Sequence, residues 1–584
     1  MPDSAGPDAS YPRPQLRRAG WRALDGAWDF ALDRTARLRD PDAPDFAATI
    51  RVPFAPETPA SGVGERDFFN ACWYRRTFDA TASAGRRVIL HFGAVDYAAT
   101  AWVNGRLVAE HEGGYTPFAA DITDALDDSG PQTLVVRAHD DPHDLAKPRG
   151  KQDWQRDPHA IWYPRTTGIW QTVWLEDVPA SHIASLRWTP DLDGWQVALE
   201  AEVAEPREGM RLRVRLSIAD RVLADDVYAL DGPALRRTVG LHDPGIDNAR
   251  NDVLWWPWRP TLIDARVELL DAAGDVIDAA DSYTALRSVA VDDERFLLNG
   301  RPYELRLVLD QGYWADTGLT APDADALRRD VELARAMGFN GVRKHQKVED
   351  PRYLAWADRL GLLVWEEMPS AYRFDRTAVE RMTREWPRVL ARDASHPCIV
   401  AWVPFNESWG VPDLPRSAEQ RHYVESIYHL TKALDPTRPV VGNDGWESVA
   451  TDIIGIHDYD QDPARLAARY APAELPALLT HGRPARRRIT LREHPPAPVM
   501  LTEFGGVALA KDPKTTWGYS RASSAKELGE RYRALLEAVR SLDHLAGFCY
   551  TQFTDTYQET NGLLYMDRTP KLPLDQIRAA TAGR

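Results

Sequence analysis

The sequence has little cysteine, no long apolar run and no excess of positive charge. Its 584 residues contain three cysteines, Cys72, Cys398 and Cys549, too few and too far apart for a disulfide framework or a CxxC metal site. No segment is apolar over the length that spans a bilayer, and the first residues lack the apolar core of a leader. The net charge of −16 argues against a surface for polyanions. We therefore expect a cytoplasmic protein that binds neither nucleic acid nor membrane.

Tryptophan, in contrast, is abundant. The chain has 21 tryptophans, in a composition of 44% hydrophobic and 27% charged residues that is ordinary for a globular protein. Indole faces are good platforms for sugar rings and nucleobases, although most tryptophans simply pack in cores. The length predicts several domains.

Short strand-like segments separated by turns fill the first half of the chain. "RVILHFGAVD" and "QTLVVRAHD" are examples, and "VNGR" is typical of a two-residue hairpin turn. These patterns predict an all-β sandwich over residues 1–179. A second β pattern follows over residues 180–288, with strands at the spacing of an immunoglobulin-like sandwich.

From residue 289 to residue 584, short apolar strands alternate with amphipathic helical segments. That alternation is typical of a parallel sheet. Eight candidate strands in this region predict a (β/α)8 TIM barrel, in which catalytic groups lie at the carboxyl ends of the strands. The candidate strands are residues 302–310, 339–345, 362–368, 398–407, 439–444, 452–459, 498–504 and 547–553.

Two glutamates occupy the ends of barrel strands. Glu407 in "WVPFNESWG" ends the fourth strand, and Glu503 in "PVMLTEFGG" ends the seventh. Two carboxyl groups at one barrel mouth can act as an acid and a nucleophile when one is kept protonated and the other ionised. Retaining glycoside hydrolysis requires such a pair. The alternative is two unrelated glutamates paired with arginines. Asn406 before one and a Gly-Gly pair after the other favour chemistry.

Several segments together carry a family resemblance. "CWYRRTFD", "WVNGRLVAEHEGGYTPFAADIT" and "IWYPRTTGIWQTVWLE" stand in the first sandwich, and "GFNGVRKH", "WADRLGLLVWEEMP" and "HPCIVAWVPFNESWG" stand in the barrel. Their order and separations resemble glycoside hydrolase family 2, the family of β-galactosidase, β-glucuronidase and β-mannosidase. The resemblance covers nearly the whole chain. It implies an N-terminal jelly roll of the sugar-binding type, an immunoglobulin-like sandwich and a catalytic TIM barrel.

The resemblance also implies roles for five residues. Glu407 would be the acid/base of a double displacement, and Glu503 would be the nucleophile. Asn406 would hydrogen-bond the sugar's 2-hydroxyl group. Arg343 would keep the nucleophile ionised, and Tyr459 would orient it. The substrate would be a small carbohydrate or glycoside, and a homo-oligomer stays open because family relatives often form one.

Further polar and aromatic residues near strand ends are candidates for sugar contacts. Histidines and tryptophans at such positions are also common as structural groups, so both interpretations stay open. Glu366 and Glu367 end the third strand, but no nearby histidine completes a metal site, and we predict no required metal or cofactor. The basic run at residues 483–494 is interpreted as a solvated face. The candidates for sugar contact are Asp310, Trp314, His345, Asp444, Trp446 and His457.

Two departures from the family bear on the sugar. Gln346 stands where the best-known members have a sugar-contacting histidine. β-Glucuronidases carry an Asn-x-Lys pair after the last strand, whereas this chain has Asn561 and then Leu563. That difference argues against a glucuronide. β-Galactopyranosides, β-galactofuranosides and α-L-arabinofuranosides stay open, and we favour a galactose-configured sugar.

The hypothesis is therefore an exo-acting retaining glycosidase whose two sandwiches shape the mouth of the pocket. A carbohydrate-binding protein without catalysis is the alternative from another class, and the complete set of candidate catalytic residues argues against it. A transglycosylase would use the same residues, so the sequence does not separate it from a hydrolase.

Overall fold

The computed structural model describes residues 10–482, 484, 487–492, 496–509 and 516–583. The first domain is a jelly-roll sandwich of two antiparallel sheets around a core that includes Trp28 and Tyr74. The predicted hairpin at "VNGR" is confirmed, since Asn104 and Gly105 take φ angles of 50° and 76° between two paired strands. In spatial order, one sheet comprises Ala48–Val52, Gly26–Asp33, Ala71–Phe78, Gln132–His139, Ala98–Val103 and Arg106–Glu112, and the other comprises Trp21–Ala23, Val173–Pro179, Arg86–Phe92 and Phe118–Asp121.

The second domain is an immunoglobulin-like sandwich. Its strands alternate buried apolar and exposed polar residues, as in Gln196–Ala204, because one face of each sheet packs against the other sheet. The domain boundaries after residues 179 and 288 stay a proposal. One sheet comprises His182–Asp191, Gln196–Ala204 and Ala234–Gly240, and the other comprises Arg221–Ala229, Arg211–Ile218, Ile263–Leu270 and Val276–Thr284, with a short helix at Asp247–Asn251.

The third domain is a TIM barrel, as predicted. Seven parallel strands form one continuous sheet among the described residues, with the first strand between the second and the eighth. All seven are almost entirely buried, as expected for strands covered on both faces, and most of their charged residues stand toward the carboxyl ends. In spatial order they are Ile399–Val403, Leu363–Glu367, Gly341–Lys344, Leu305–Asp310, Gly547–Thr551, Val499–Gly505 and Ile454–Asp458.

The fifth predicted strand, residues 439–444, closes the barrel without forming a regular ladder. Its bridges to the fourth strand region are Trp402 to Val440 and Asn406 to Asp444. On its other side, the His457 N–H donates to the carbonyl oxygen of Gly445 at 3.3 Å. The segment is therefore joined to the fourth-strand region by isolated bridges and to the sixth strand by the bond at Gly445.

Helices surround the barrel and start at side-chain caps. Asp323, Asp375, Ser417 and Ser524 each accept a hydrogen bond from a backbone N–H of the first turn, which satisfies one of the unpaired donors there. No helix of the described chain has the length and apolar character needed to cross a bilayer. The barrel helices are Ala324–Ala336, Pro351–Leu360, Arg376–Asp393, Ala418–Leu434, Pro463–Arg469, Leu475–His481, Ala525–Arg540 and Leu574–Ala582.

Small sheets and turns complete the described structure. A three-stranded sheet at the start of the barrel domain follows the immunoglobulin-like sandwich. Its strands are Val289–Val291, Phe296–Leu298 and Arg301–Pro302; the two-stranded pairs are Val95–Asp96 with Gly168–Ile169, Trp255–Trp256 with Arg259–Pro260, and Val507–Ala508 with Ser520–Arg521; single 3-10 turns lie at Pro59–Ser61 and Thr123–Ala125.

Candidate active site

Glu407 follows the fourth barrel strand in a strained turn. Glu407 and Ser408 have φ angles of 49° and 56°, a left-handed conformation that costs about 1–2 kcal/mol for a residue with a side chain. Two hydrogen bonds fix the turn: the Glu407 N–H donates to the Asp444 carbonyl oxygen at 2.9 Å, and the Ser408 N–H donates to Asn443 Oδ1 at 3.0 Å. Such strain concentrates at functional sites. Here it sets the direction of the Glu407 carboxyl group.

Glu503, in the seventh strand, is buried and held by two donors. Arg343 Nη1 donates to Oε1 at 3.0 Å, and the Tyr459 hydroxyl donates to Oε2 at 2.5 Å. Burial raises the pKa of the Glu503 carboxyl, but the charges of His457 and Arg343 outweigh burial and hold the pKa below its ordinary value. Glu503 is therefore ionised at neutral pH, as a nucleophile must be.

Arg343, on the second strand, is the centre of a buried charge network. Its guanidinium contacts Glu367 at 2.7 Å, Asp444 at 2.6 Å and Asn406 Oδ1 at 2.6 Å, in addition to Glu503. The bond to Asn406 fixes which way that amide points. Asn406 Nδ2 is buried and has no partner among the described residues. Its N–H groups are free to donate to a bound molecule.

His457, at the end of the sixth strand, lies between the two glutamates. Its Nδ1 is 2.7 Å from Glu407 Oε1, and its Nε2 is 3.3 Å from Asp444 and 3.4 Å from Glu503. Burial lowers the pKa of His457, but the Glu503 charge and the bonds to Asp444 and Glu407 outweigh it and raise the pKa to about 10. The imidazole is therefore a cation at neutral pH.

The three side chains come close enough to act on one atom of a bound molecule. One oxygen of Glu407, one oxygen of Glu503 and a nitrogen of His457 lie within 4.8 Å of one another. These residue types also bind metals, but a metal ligand must be a neutral imidazole, whereas this one is protonated and lies beside the Arg343 cation. The geometry fits proton transfer and nucleophilic attack by a carboxylate better than metal binding.

The other predicted sugar contacts divide into two groups. His345 and Asp444 belong to the network, since His345 Nδ1 lies 3.1 Å from Glu367 and Asp444 is paired with Arg343. Asp310 instead forms an ion pair with Lys344, whose Nζ lies 2.6 Å from Asp310 Oδ2. Its role as a sugar contact stays a prediction.

The two predicted tryptophans have partners away from the carboxylate pair. Trp314 is buried between Lys347, at 5.0 Å from its ring, and Arg568, at 4.6 Å. Trp446 is half-buried beneath the Arg487 guanidinium at 4.3 Å. Among the described residues, no recorded contact joins either indole to the two glutamates, and their sugar-binding roles stay predictions.

Comparisons with known proteins agree with this architecture. Three family models match the chain in order: "Glycosyl hydrolase 2 galactose-binding domain-like" at residues 63–170, "Glycosyl hydrolases family 2" at 181–287, and "Glycosyl hydrolases family 2, TIM barrel domain" at 289–511. The chain belongs to glycoside hydrolase family 2. The predicted family resemblance is thereby confirmed, and the chain is a family 2 glycosidase.

Named relatives of this family 2 glycosidase differ in the sugar that their names give. It is 28% identical over 503 residues to β-glucuronidase of Canis lupus familiaris, covering 77% of this chain and 73% of that one. It is 27% identical to β-galactosidase of Thermoanaerobacter pseudethanolicus, covering 67% of this chain and 51% of the relative. A solved β-galacturonidase from Eisenbergiella tayi shares the fold with a TM-score of 0.74 at 20% identity, covering 98% of each chain.

At the positions where this family 2 glycosidase departs from the family pattern, the side chains are held by hydrogen bonds or packed in the core. Gln346 donates to Glu367 at 2.6 Å and accepts from the Ser370 N–H at 2.8 Å. Leu563 is fully buried in the barrel core. Asn561 accepts from Gln552 at 2.6 Å. Neither of the last two positions supplies a cation.

Sequence reasoning missed the pocket residues that come from loops of other domains. Lys151, Trp154, Trp162 and Tyr163 lie on one loop of the jelly roll and reach the barrel. Tyr163, for example, donates from its hydroxyl to Glu559 at 2.5 Å. No periodicity marks such residues, because the contact depends on how two domains pack. The only available signal is the clustering of aromatic and charged residues in "GKQDWQRDPHAIWY".

Proposed function

We propose that this family 2 glycosidase is an exo-acting retaining enzyme with Glu503 as nucleophile and Glu407 as acid/base. The supporting observation is the separation of the two carboxyl groups, whose nearest oxygens lie within 4.8 Å. Retaining enzymes hold these groups about 5–5.5 Å apart, whereas inverting enzymes need about 6.5–9.5 Å to admit a water. The short separation favours direct attack by a carboxylate.

The first step would form a glycosyl-enzyme. A Glu503 oxygen attacks the anomeric carbon while Glu407 gives its proton to the glycosidic oxygen, so that the bond to the leaving group breaks. Arg343 and Tyr459 keep the attacking carboxylate ionised and oriented through their hydrogen bonds. The free Asn406 amide would donate to the 2-hydroxyl group, a contact that strengthens in the transition state.

The second step would reverse the proton transfer. Glu407, now a carboxylate, takes a proton from a water molecule as the water oxygen attacks the same carbon. The bond between that carbon and Glu503 breaks, which releases the sugar and regenerates the Glu503 carboxylate. The strained turn at Glu407 and its contact with His457 keep the carboxyl group in place between the steps. A sugar acceptor in place of water would give transglycosylation by the same groups.

We keep a galactose-configured sugar as the proposed substrate. It is supported by the lack of a cation at Leu563, where glucuronidases would have a lysine, and by a relative named β-galactosidase. A β-glucuronide is the second candidate, because other relatives are named β-glucuronidase. β-Galactofuranosides and α-L-arabinofuranosides stay in the test panel. A cytoplasmic location is likewise a proposal.

The test is nitrophenol release from aryl glycosides of these sugars by wild type, Glu503→Gln and Glu366→Gln. Glu366 is a matched control, since it is buried at the end of the third strand and pairs with Arg392 at 3.8 Å rather than with either glutamate. We expect Glu503→Gln to lose activity by about 10⁴-fold or more and Glu366→Gln to retain it. A 2-fluoro glycoside should label Glu503, as peptide mass spectrometry would show. Full activity of Glu503→Gln, or folded wild type without turnover of any sugar, would count against the proposal.

A further inference from the structure

Lys151 is a buried cation that forms neither an ion pair nor a side-chain hydrogen bond within the described part of the chain. It lies in the jelly-roll loop between Gln132–His139 and Gly168–Ile169 and is 4% exposed. Its backbone is fixed, because its carbonyl oxygen accepts from the Tyr163 N–H at 2.8 Å. Among the described residues, its ammonium group makes no hydrogen bond and no ion pair. A buried ammonium in this state is costly unless something else supplies an acceptor.

Other buried lysines of the chain show the contrast. Lys344 lies 2.6 Å from Asp310 and 2.7 Å from Glu349, and Lys571 lies 2.6 Å from Asp555. Two more, Lys147 and Lys347, are also paired with carboxylates. These ammonium groups are compensated inside the fold, whereas that of Lys151 is not.

Lys151 contacts aromatic rings that connect it with the barrel residues near Glu407. Its Nζ lies 5.1 Å from the centre of the Trp409 ring and 6.0 Å from that of Tyr163. Trp409 is two residues from Glu407, and its ring lies 6.2 Å from that of His345. The Lys151 charge also acts on Glu559, opposing the effect of burial, which raises the pKa of that acid.

Glu559 does not neutralise Lys151 directly. Its two oxygens accept from Asn561 Nδ2 at 3.1 Å and from the Tyr163 hydroxyl at 2.5 Å. Lys151 Nζ lies more than 4.0 Å from either carboxylate oxygen of Glu559, so the two residues form no ion pair. The ammonium donors of Lys151 are therefore not used by Glu559.

The proposed mechanism fixes which part of a sugar faces this wall. C1 must lie at Glu503, and the free Asn406 amide takes the 2-hydroxyl group, so these two atoms of the ring are assigned. The substituent on C5 is on the edge of the ring opposite C2. Glu559 follows the eighth strand, Gly547–Thr551, and is joined to Tyr163, so we place this substituent at the wall of Lys151, Tyr163 and Glu559.

We propose that Lys151 binds the carboxylate of a uronic acid, so that the galactose-configured substrate is a galacturonide. This inference rests on the proposed function. A carboxylate gives an ammonium group both opposite charge and hydrogen-bond acceptors, whereas a hydroxymethyl group gives only a neutral acceptor. Lys151 thus supplies, from another domain, the positive charge that Leu563 does not.

Binding of free sugars tests the inference without catalysis. Titration calorimetry would compare D-galacturonate, D-glucuronate and D-galactose on wild type, Lys151→Met and Lys151→Arg, with thermal unfolding as the check on folding. We expect wild type to bind galacturonate at least about tenfold more tightly than galactose, and Lys151→Met to lose that preference. Lys151→Arg should keep most of it, because the charge remains. A preference for glucuronate would support the role of Lys151 and overturn the galactose configuration.

Turnover separates failure of this inference from failure of the proposed function. On nitrophenyl β-galacturonide and β-galactopyranoside, Lys151→Met should lower kcat/KM about 100-fold for the charged substrate alone. Equal losses on both substrates, or galacturonate binding that is unmeasurable or equal to that of galactose, would overturn the inference. Turnover by Glu503→Gln would instead overturn the proposed nucleophile, whatever Lys151 does.

Discussion

At the residue scale, the imidazolium of His457 lies between the two glutamates and contacts both. His457 contacts Glu407 at 2.7 Å and Glu503 at 3.4 Å, and its pKa of about 10 keeps it charged across the neutral range. A positive charge stabilises the ionised form of every neighbouring carboxyl group. It therefore lowers the pKa of Glu503, the proposed nucleophile, which must be ionised.

Replacing His457 with asparagine should move the acidic limb of the pH profile of kcat/KM to higher pH. Without the imidazolium, the pKa of Glu503 rises, so the acidic limb, which reflects its ionisation, shifts upward. The measurement is kcat/KM of wild type and variant between pH 4 and pH 10. An acidic limb that stays in place or moves down would show that His457 is neutral in the working enzyme.

Part of this site is predictable from sequence, for a physical reason. Glu407 and Glu503 stand at the carboxyl ends of strands, and a closed barrel brings strand ends to one mouth whatever their distance in the chain. Lys151 and Tyr163 have no such rule, because their approach depends on packing between two domains. The ion pair between Asp310 and Lys344 was equally unpredictable, because both residues stand at strand ends and nothing in the sequence indicates that they pair.

At the element scale, the fifth barrel segment has the sequence pattern of a strand but forms only isolated bridges instead of a regular hydrogen-bonded ladder. The apolar "PVV" predicts a strand, and Val440 does bridge to Trp402. Beyond it the backbone turns to bring Asp444 to Arg343 and Gly442 against the chain at Ala450. Tertiary contacts here override the local preference for a strand.

Gly442→Ala should destabilise this segment. An added Cβ would lie 1.8 Å from the Ala450 carbonyl oxygen, so one of two backbones must shift, which costs about 1–3 kcal/mol. We expect a lower thermal midpoint by tryptophan fluorescence and a lower kcat, since Asp444 is two residues away. Gly232→Ala is the control, because nothing lies within 4 Å of its Cβ position. Equal midpoints for the two variants would contradict the close approach.

At the scale of the whole molecule, the pocket is shared between domains. Trp154 and Trp162 come from the jelly roll, and Tyr372 and Trp409 come from barrel loops. Trp154 lies 4.9 Å from Trp162 and 5.3 Å from Tyr372, and Tyr372 lies 5.4 Å from Trp409. Trp162 Nε1 also donates to the Tyr372 hydroxyl at 2.8 Å, which ties the two domains together.

These half-buried rings include Trp409, two residues from Glu407, the proposed acid/base. Because Glu407 protonates the leaving oxygen in the proposed mechanism, we expect Trp154 and Trp162 to pack against the leaving group, while Trp409, whose ring lies 5.1 Å from Lys151 Nζ, also borders the transferred sugar. Trp154→Ala should lower kcat/KM for nitrophenyl glycosides about tenfold, the scale of one lost aromatic contact, while binding of the free sugar stays unchanged. Trp258→Ala is the control, since that ring is 64% exposed and stacks on Trp256, away from the pocket. A Trp154 variant that weakens binding of the free sugar as strongly as that of the glycoside would place Trp154 against the transferred sugar instead.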